Sequence, residues 1–166
     1  MDDLVKATGV SRHGIYTTFG GKKALFLVCF DRYQDSVVTP AFKVVEAPGA
    51  DLRSVAKYFE LQISRCEAVG LPGPGCFVAN SATEAAPADA DVMLQVQRHN
   101  DRLRRGFRAA LRSSIPSLGK ARATRLAEVM LIFTNGLWTL SRSVSDARVL
   151  RRATRDFLDL LEGRTT

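Results

Sequence analysis

Wherever the apolar residues of this sequence recur regularly, they recur three or four positions apart, and no stretch alternates long enough to make a strand. That period restricts the chain to helices that bury one stripe against each other, an all-α fold. Phe26, Phe30, Tyr33 and Val37 mark a helix from Lys22 to about Val38, which Thr39-Pro40 is expected to end or kink. Leu52, Val55, Phe59, Ile63 and Cys66 mark another, opened by Asp51 and running to about Ala68. Gly70-Leu71-Pro72-Gly73-Pro74-Gly75 is the strongest break, and a short helix from about Cys76 to Glu84 follows it.

The long helix expected from about Ala88 to Ser113 places Val92, Val96, Leu103, Phe107 and Leu111 on one face. Arg98, Arg102, Arg104, Arg105, Arg108 and Arg112 occupy the rest, and a solvated face whose aliphatic stems shield the core edge accounts for them. A helix from about Lys120 to Ser143 is apolar on nearly every side in its middle, so it must be covered on more than one face. The last, from Asp146 to Leu161, is amphipathic, with Val149, Ala153, Phe157 and Leu160 on one side. A central apolar helix beside a terminal amphipathic one suits a two-fold dimer built as a four-helix bundle; burial within a monomer is the alternative.

At the other end, Ala7-Thr8-Gly9-Val10-Ser11 reads as the close of one short helix and the opening of the next, with Gly9 as the stop and Ser11 as the N-cap. Two short helices joined through such a turn make a helix-turn-helix, whose second member, Arg12 to Phe19, can enter a major groove. Ile15 and Phe19 are expected inward with Leu4 and Val10, leaving Arg12, His13, Tyr16 and Thr17 outward.

The run from Met1 to Leu25 resembles the DNA-binding signature of the TetR/AcrR family of transcriptional regulators. The residues that carry the likeness are the turn Gly9-Val10-Ser11, the helix ending in Tyr16-Thr17-Thr18-Phe19, and Lys22 and Leu25 at the start of the following helix. Where the family commonly has a small polar cap before its lysine and an acid after it, this chain has Gly21 and Lys23. A lysine in a first turn faces the positive end of the helix dipole, a mild cost that a nearby phosphate offsets. Against the family pattern the chain lacks the first helix of the DNA-binding domain, and a late start of the sequence is the expected reason.

The resemblance implies that Arg12 and His13 approach base edges, with Thr17 one turn later. Arginine reads guanine through O6 and N7, worth about 1–3 kcal/mol against a wrong base when bidentate. Gly14 would allow close approach to the duplex; Tyr16 and Lys22 are assigned to phosphate, with Lys6 and Lys23 as weaker candidates. Packing alone is the competing role for Gly14 and Tyr16. The resemblance also implies dimerisation through the last two helices and an unidentified small-molecule effector in a cavity of the middle helices. Phe59, Gln62, Cys66, Phe77, Asn80, Glu84, Phe133 and Trp138 are its candidate wall, with ordinary core packing as the alternative for each aromatic. Cys66 and Cys76 flank the break and invite a thiol-sensor role, against which packing competes.

Net charge points elsewhere. Residues 1–50 carry six basic and five acidic side chains, residues 51–97 three and six, and residues 98–166 fifteen and six, so the +7 total resides in the last segment. Charge by itself would choose the wrong end for nucleic acid. Cys29, Cys66 and Cys76 have no metal-ligand spacing and are odd in number, which fits a reducing cytoplasm and no metal or other cofactor. The longest apolar run, Ala24 to Phe30, has seven residues, far short of a membrane span, so no membrane partner is expected. His13 and His99 have no acid or nucleophile set beside them by a motif, so no enzymatic activity is expected. The expected organisation is a DNA-binding domain with its linking helix at 1–38 and an effector-binding and dimerisation domain at 39–166. The expected function is an effector-responsive regulator, a repressor of palindromic operator DNA; the alternative is a dimeric small-molecule-binding protein with incomplete or lost DNA binding.

Overall fold

Local capping chemistry sets where the helices begin and end. The computed structural model describes residues 1–163, and among them every regular element is helical. In order these are α1 (Asp2–Thr8), α2 (Arg12–Phe19), α3 (Lys22–Tyr33), a π-helical turn at Gln34–Val38, α4 (Thr39–Glu46) and α5 (Leu52–Val69). Then come α6 (Phe77–Glu84), a 3₁₀ turn at Ala86–Ala88, α7 (Ala90–Ser114), α8 (Lys120–Leu140) and α9 (Ala147–Glu162). Asp51 opens α5 through a capping box: its carboxylate accepts the Ser54 N–H at 2.9 Å while the Ser54 hydroxyl accepts the Asp51 N–H at 3.3 Å. Asp89 and Asp146 cap α7 and α9 in the same sense.

One expected boundary moves. Thr39-Pro40 does not end a helix; the helix preceding it widens into the π turn from Gln34, five residues before Thr39, and Pro40 becomes the second residue of α4. Pro40 follows the π turn without a break in the helical run, and such a turn is where a helix accommodates the missing proline N–H.

Contacts divide the chain into two compact units, Met1–Val38 and the remainder from Thr39. In the first, α2 packs on α3, Ile15 is buried, and Leu4, Val5 and Phe19 are half-buried. Val10, expected inward, is 46% exposed. It follows the left-handed Gly9 (φ 69°), and that reversal carries its side chain out beside Gly14 rather than beneath α2.

In the second unit α7 packs along α8, α5 along α9, and α4 against both α5 and α7. The expected core faces of α5 and α7 are the ones buried, from Leu52, Val55, Phe59 and Ile63 to Val92, Val96, Leu103, Phe107 and Leu111. Phe42 of α4 stands edge-on to Tyr58 (5.2 Å between ring centroids) and to Phe107 (5.5 Å). α4 approaches α7 closely at Gly106, where a β-carbon would lie 2.7 Å from the Phe42 ring. Arg102 holds α4 from both ends, donating to both Glu46 carboxylate oxygens at 2.7 Å and to the Thr39 hydroxyl at 2.8 Å. Arg104 bonds Asp101 and Glu128. Two of the six α7 arginines expected to be merely solvated therefore tie helices together.

α9 differs from expectation. Its covered stripe is Ala147, Leu150, Thr154 and Leu158, while Val149 and Leu160 from the expected stripe are exposed and Ala153 and Phe157 half-buried. The helix carries two apolar stripes, and α5 covers the one that includes a threonine. α8 likewise buries Ala123, Ala127, Met130, Leu131, Leu137 and Trp138 but leaves Val129, Ile132 and Leu140 exposed.

Candidate nucleic-acid interface

The head is held by short-range hydrogen bonds. The Gly9 N–H donates to the Val5 carbonyl at 2.9 Å and closes α1. The Thr8 hydroxyl donates to the Leu4 carbonyl at 2.7 Å, and the Val10 N–H reaches that hydroxyl at 3.3 Å. Ser11 caps α2, its hydroxyl oxygen accepting the Gly14 N–H at 3.0 Å, and the Gly20 N–H returns to the Tyr16 carbonyl at 2.8 Å. With both ends tied and Ile15 buried, α2 shows Arg12, His13, Tyr16 and Thr17 on its exposed side.

These groups have partners within the head. Arg12 donates to Asp2 at 2.6 Å, and that guanidinium holds the Asp2 carboxyl below its usual pKa. The pair is open to solvent, so screening leaves it weak and exchangeable for a phosphate or a base edge. Thr17 donates to the His13 carbonyl at 2.9 Å, with its oxygen 3.4 Å from His13 Nε2. A β-carbon on Gly14 would meet Val10 Cγ1 at 3.2 Å and Ser11 Oγ at 3.3 Å, so the missing side chain serves the turn as well as any outside approach. Tyr16 is half exposed, with its ring beside Gly21. Lys22 and Lys23 are exposed in the first turn of α3, and Lys6 is exposed in the last turn of α1.

Six of the eight effector candidates separate into two groups. Phe59, fully buried, lies 5.8 Å from Phe133 and 6.3 Å from Trp138 between ring centroids, and Phe133 stacks on Phe157 at 4.0 Å. Gln62 joins them through Tyr58, whose buried hydroxyl is hydrogen-bonded with the Trp138 and Gln62 side chains. Burial first, and the nearby Cys76 second, push the Tyr58 phenol above its ordinary pKa. Asn80 and Glu84 belong instead to a clasp around Arg142, which donates to Asn80 Oδ1 at 3.0 Å and lies 3.6 Å from Glu84. Asn80 Nδ2 donates to the Pro74 carbonyl at 2.9 Å, and Gly75 leaves no room for a β-carbon beneath Arg142, so the clasp fastens the Gly70–Gly75 break to the end of α8. Phe77 is half-buried at the start of α6.

Cys66 and Cys76 are half-buried and close enough to interact; burial, then the Cys76 thiol, raise the Cys66 pKa. A raised pKa disfavours the reactive thiolate. Tyr58 and Arg142 join these groups without being among the sequence candidates. Tyr58 sits one turn before Gln62, a spacing that signals contact, whereas nothing local marks Arg142 or the Asp2 partner of Arg12.

Fold and site define a helix-turn-helix protein with an all-α second unit. The chain is similar to the uncharacterized HTH-type transcriptional regulator YezE of Bacillus subtilis (strain 168), with 27% identity over 111 residues, 64% of this chain and 55% of that protein. The match thus spans about half the length of that relative. No family model and no solved structure matches the chain. Among the described residues no helix is long and apolar enough to cross a membrane.

Proposed function

We propose that the protein is a cytoplasmic transcriptional regulator of the TetR/AcrR type, a repressor that binds palindromic operator DNA as a dimer and is released by a small molecule. The observation that carries this reading is the outer side of α2, where Arg12, His13, Tyr16 and Thr17 stand exposed on a helix capped by Ser11 and anchored by Ile15. A helix so presented offers a guanidinium, an imidazole and two hydroxyls to a major groove, with Lys22 at the next helix start for a phosphate. The similarity to a helix-turn-helix transcriptional regulator supports it.

Dimerisation is supported by the apolar surface left on α8 and α9, where Val129 (46% exposed), Ile132 (69%) and Leu160 (69%) face solvent. Gly136 of α8 lies among them with open space where a β-carbon would be. A mid-helix glycine costs about 1 kcal/mol relative to alanine, a cost that a close helix crossing offsets. A second copy packed there makes a four-helix bundle, and a dimer carries two α2 helices for two half-sites. The aromatic cluster of Phe59, Phe133 and Trp138, with Gln62 at its polar edge, is the proposed effector wall.

The test is binding to the protein's own promoter region across a salt series. Arg12→Ala relaxes sequence preference, whereas Lys22→Ala weakens all sequences and reduces the salt slope by about 1. Asp2→Asn removes the competing carboxylate and tightens binding. Unchanged affinity and specificity in all three variants would overturn the assignment of contacts.

A further inference from the structure

On the second unit, α5 and α9 leave an open groove of about 450 Å³. Its apolar lining comes from Leu52, Ala56, Ile63 and Leu158. Three arginines and three acids share the rim, but they are not equally available. Arg151 is tied to Glu60 at 3.0 Å and to Glu67 at 2.8 Å, and Asp159 and Glu162 are engaged in contacts of their own. Arg53 and Arg155 form no ion pair among the described residues, so both guanidiniums remain available to an anionic group.

A buried polar group belongs to the same wall. Thr154 is 6% exposed, and its hydroxyl has no hydrogen-bond partner. A helical threonine ordinarily satisfies its hydroxyl on the carbonyl one turn back, and a buried hydroxyl without a partner carries an uncompensated desolvation cost. At 100° per residue, the groove side of α9, with Arg151, Arg155 and Leu158, lies nearly opposite the side with Val149, Ala153 and Leu160. A second copy on the exposed stripe would leave the groove open.

We propose that this groove binds a small amphipathic monoanion, a carboxylate carried on an aliphatic or aromatic body. The body covers the apolar lining, and the carboxylate pairs with Arg53 and Arg155. The volume is within the range of small-molecule sites, roughly 300–1,000 Å³. The site is separate from the aromatic cluster around Phe59 and does not rest on the DNA-binding reading.

Calorimetric titration of the full chain with octanoate, octylamine and octanol, which share one tail and differ in head charge, tests the proposal. Octanoate is expected to bind saturably, one per chain, and about tenfold more tightly than the other two, the worth of a charge-assisted hydrogen bond. Arg53→Gln and Arg155→Gln each weaken octanoate and leave octanol unchanged. Absence of saturable octanoate binding, equal or tighter binding of octylamine or octanol, or unaltered octanoate affinity in the arginine variants would overturn the proposal.

Discussion

Gly106→Ala is expected to destabilise the second unit although it replaces a poor helix former with the best one. The new β-carbon would stand 2.7 Å from Phe42 Cε1 and Cζ and 3.2 Å from Val45 Cγ1. Phe42 has no exposed surface and is held edge-on by Tyr58 and Phe107, so its ring has no free direction in which to retreat. Overpacking of this kind costs about 1–3 kcal/mol, and alanine returns about 1 kcal/mol of helix propensity. The net expectation is a loss of about 1–2 kcal/mol, a fall of several degrees in melting temperature. Urea denaturation measures it, and a cycle with Phe42→Leu isolates the clash, because a smaller side chain at 42 relieves the crowding and makes the pair less costly than the sum of the singles. A Gly106→Ala protein as stable as the parent, or strictly additive costs in the cycle, would refute the close approach of α4 to α7.

Two other outcomes follow from burial. Ile132→Asp, at a site 69% exposed, leaves the fold intact but abolishes the proposed self-association; sedimentation equilibrium reads the mass, and a variant that stays dimeric refutes the α8–α9 interface. His99 is 8% exposed, and burial first, then the Arg102 charge, lower its pKa from 6.5 to about 4. The unfolded chain therefore takes up this proton at higher pH than the folded one, so stability is whole above pH 6.5 and falls as the pH drops toward 4, by up to roughly 3 kcal/mol. Denaturation midpoints across that window check it, with His99→Gln expected to flatten the profile; an equal slope in the variant refutes the assignment to His99.

Much of this architecture is legible in the residues because its causes are local. The stop at Gly9, the cap at Ser11 and the capping box at Asp51 each act within four positions, as do the buried stripes of α5 and α7. The exposed side of α2 follows from the same spacing. Other features depend on which element arrives from far along the chain. α9 has two apolar stripes, and the covered one is chosen by α5, whose Glu60 meets Arg151 across a separation of 91 residues. Val10 turns outward because of the backbone at Gly9, Arg12 finds Asp2 ten positions away, and Arg102 clasps α4 rather than water. Helical period and caps are written in neighbouring side chains; the α5–α9 groove and the unpaired Thr154 hydroxyl exist only once tertiary packing has brought distant helices together.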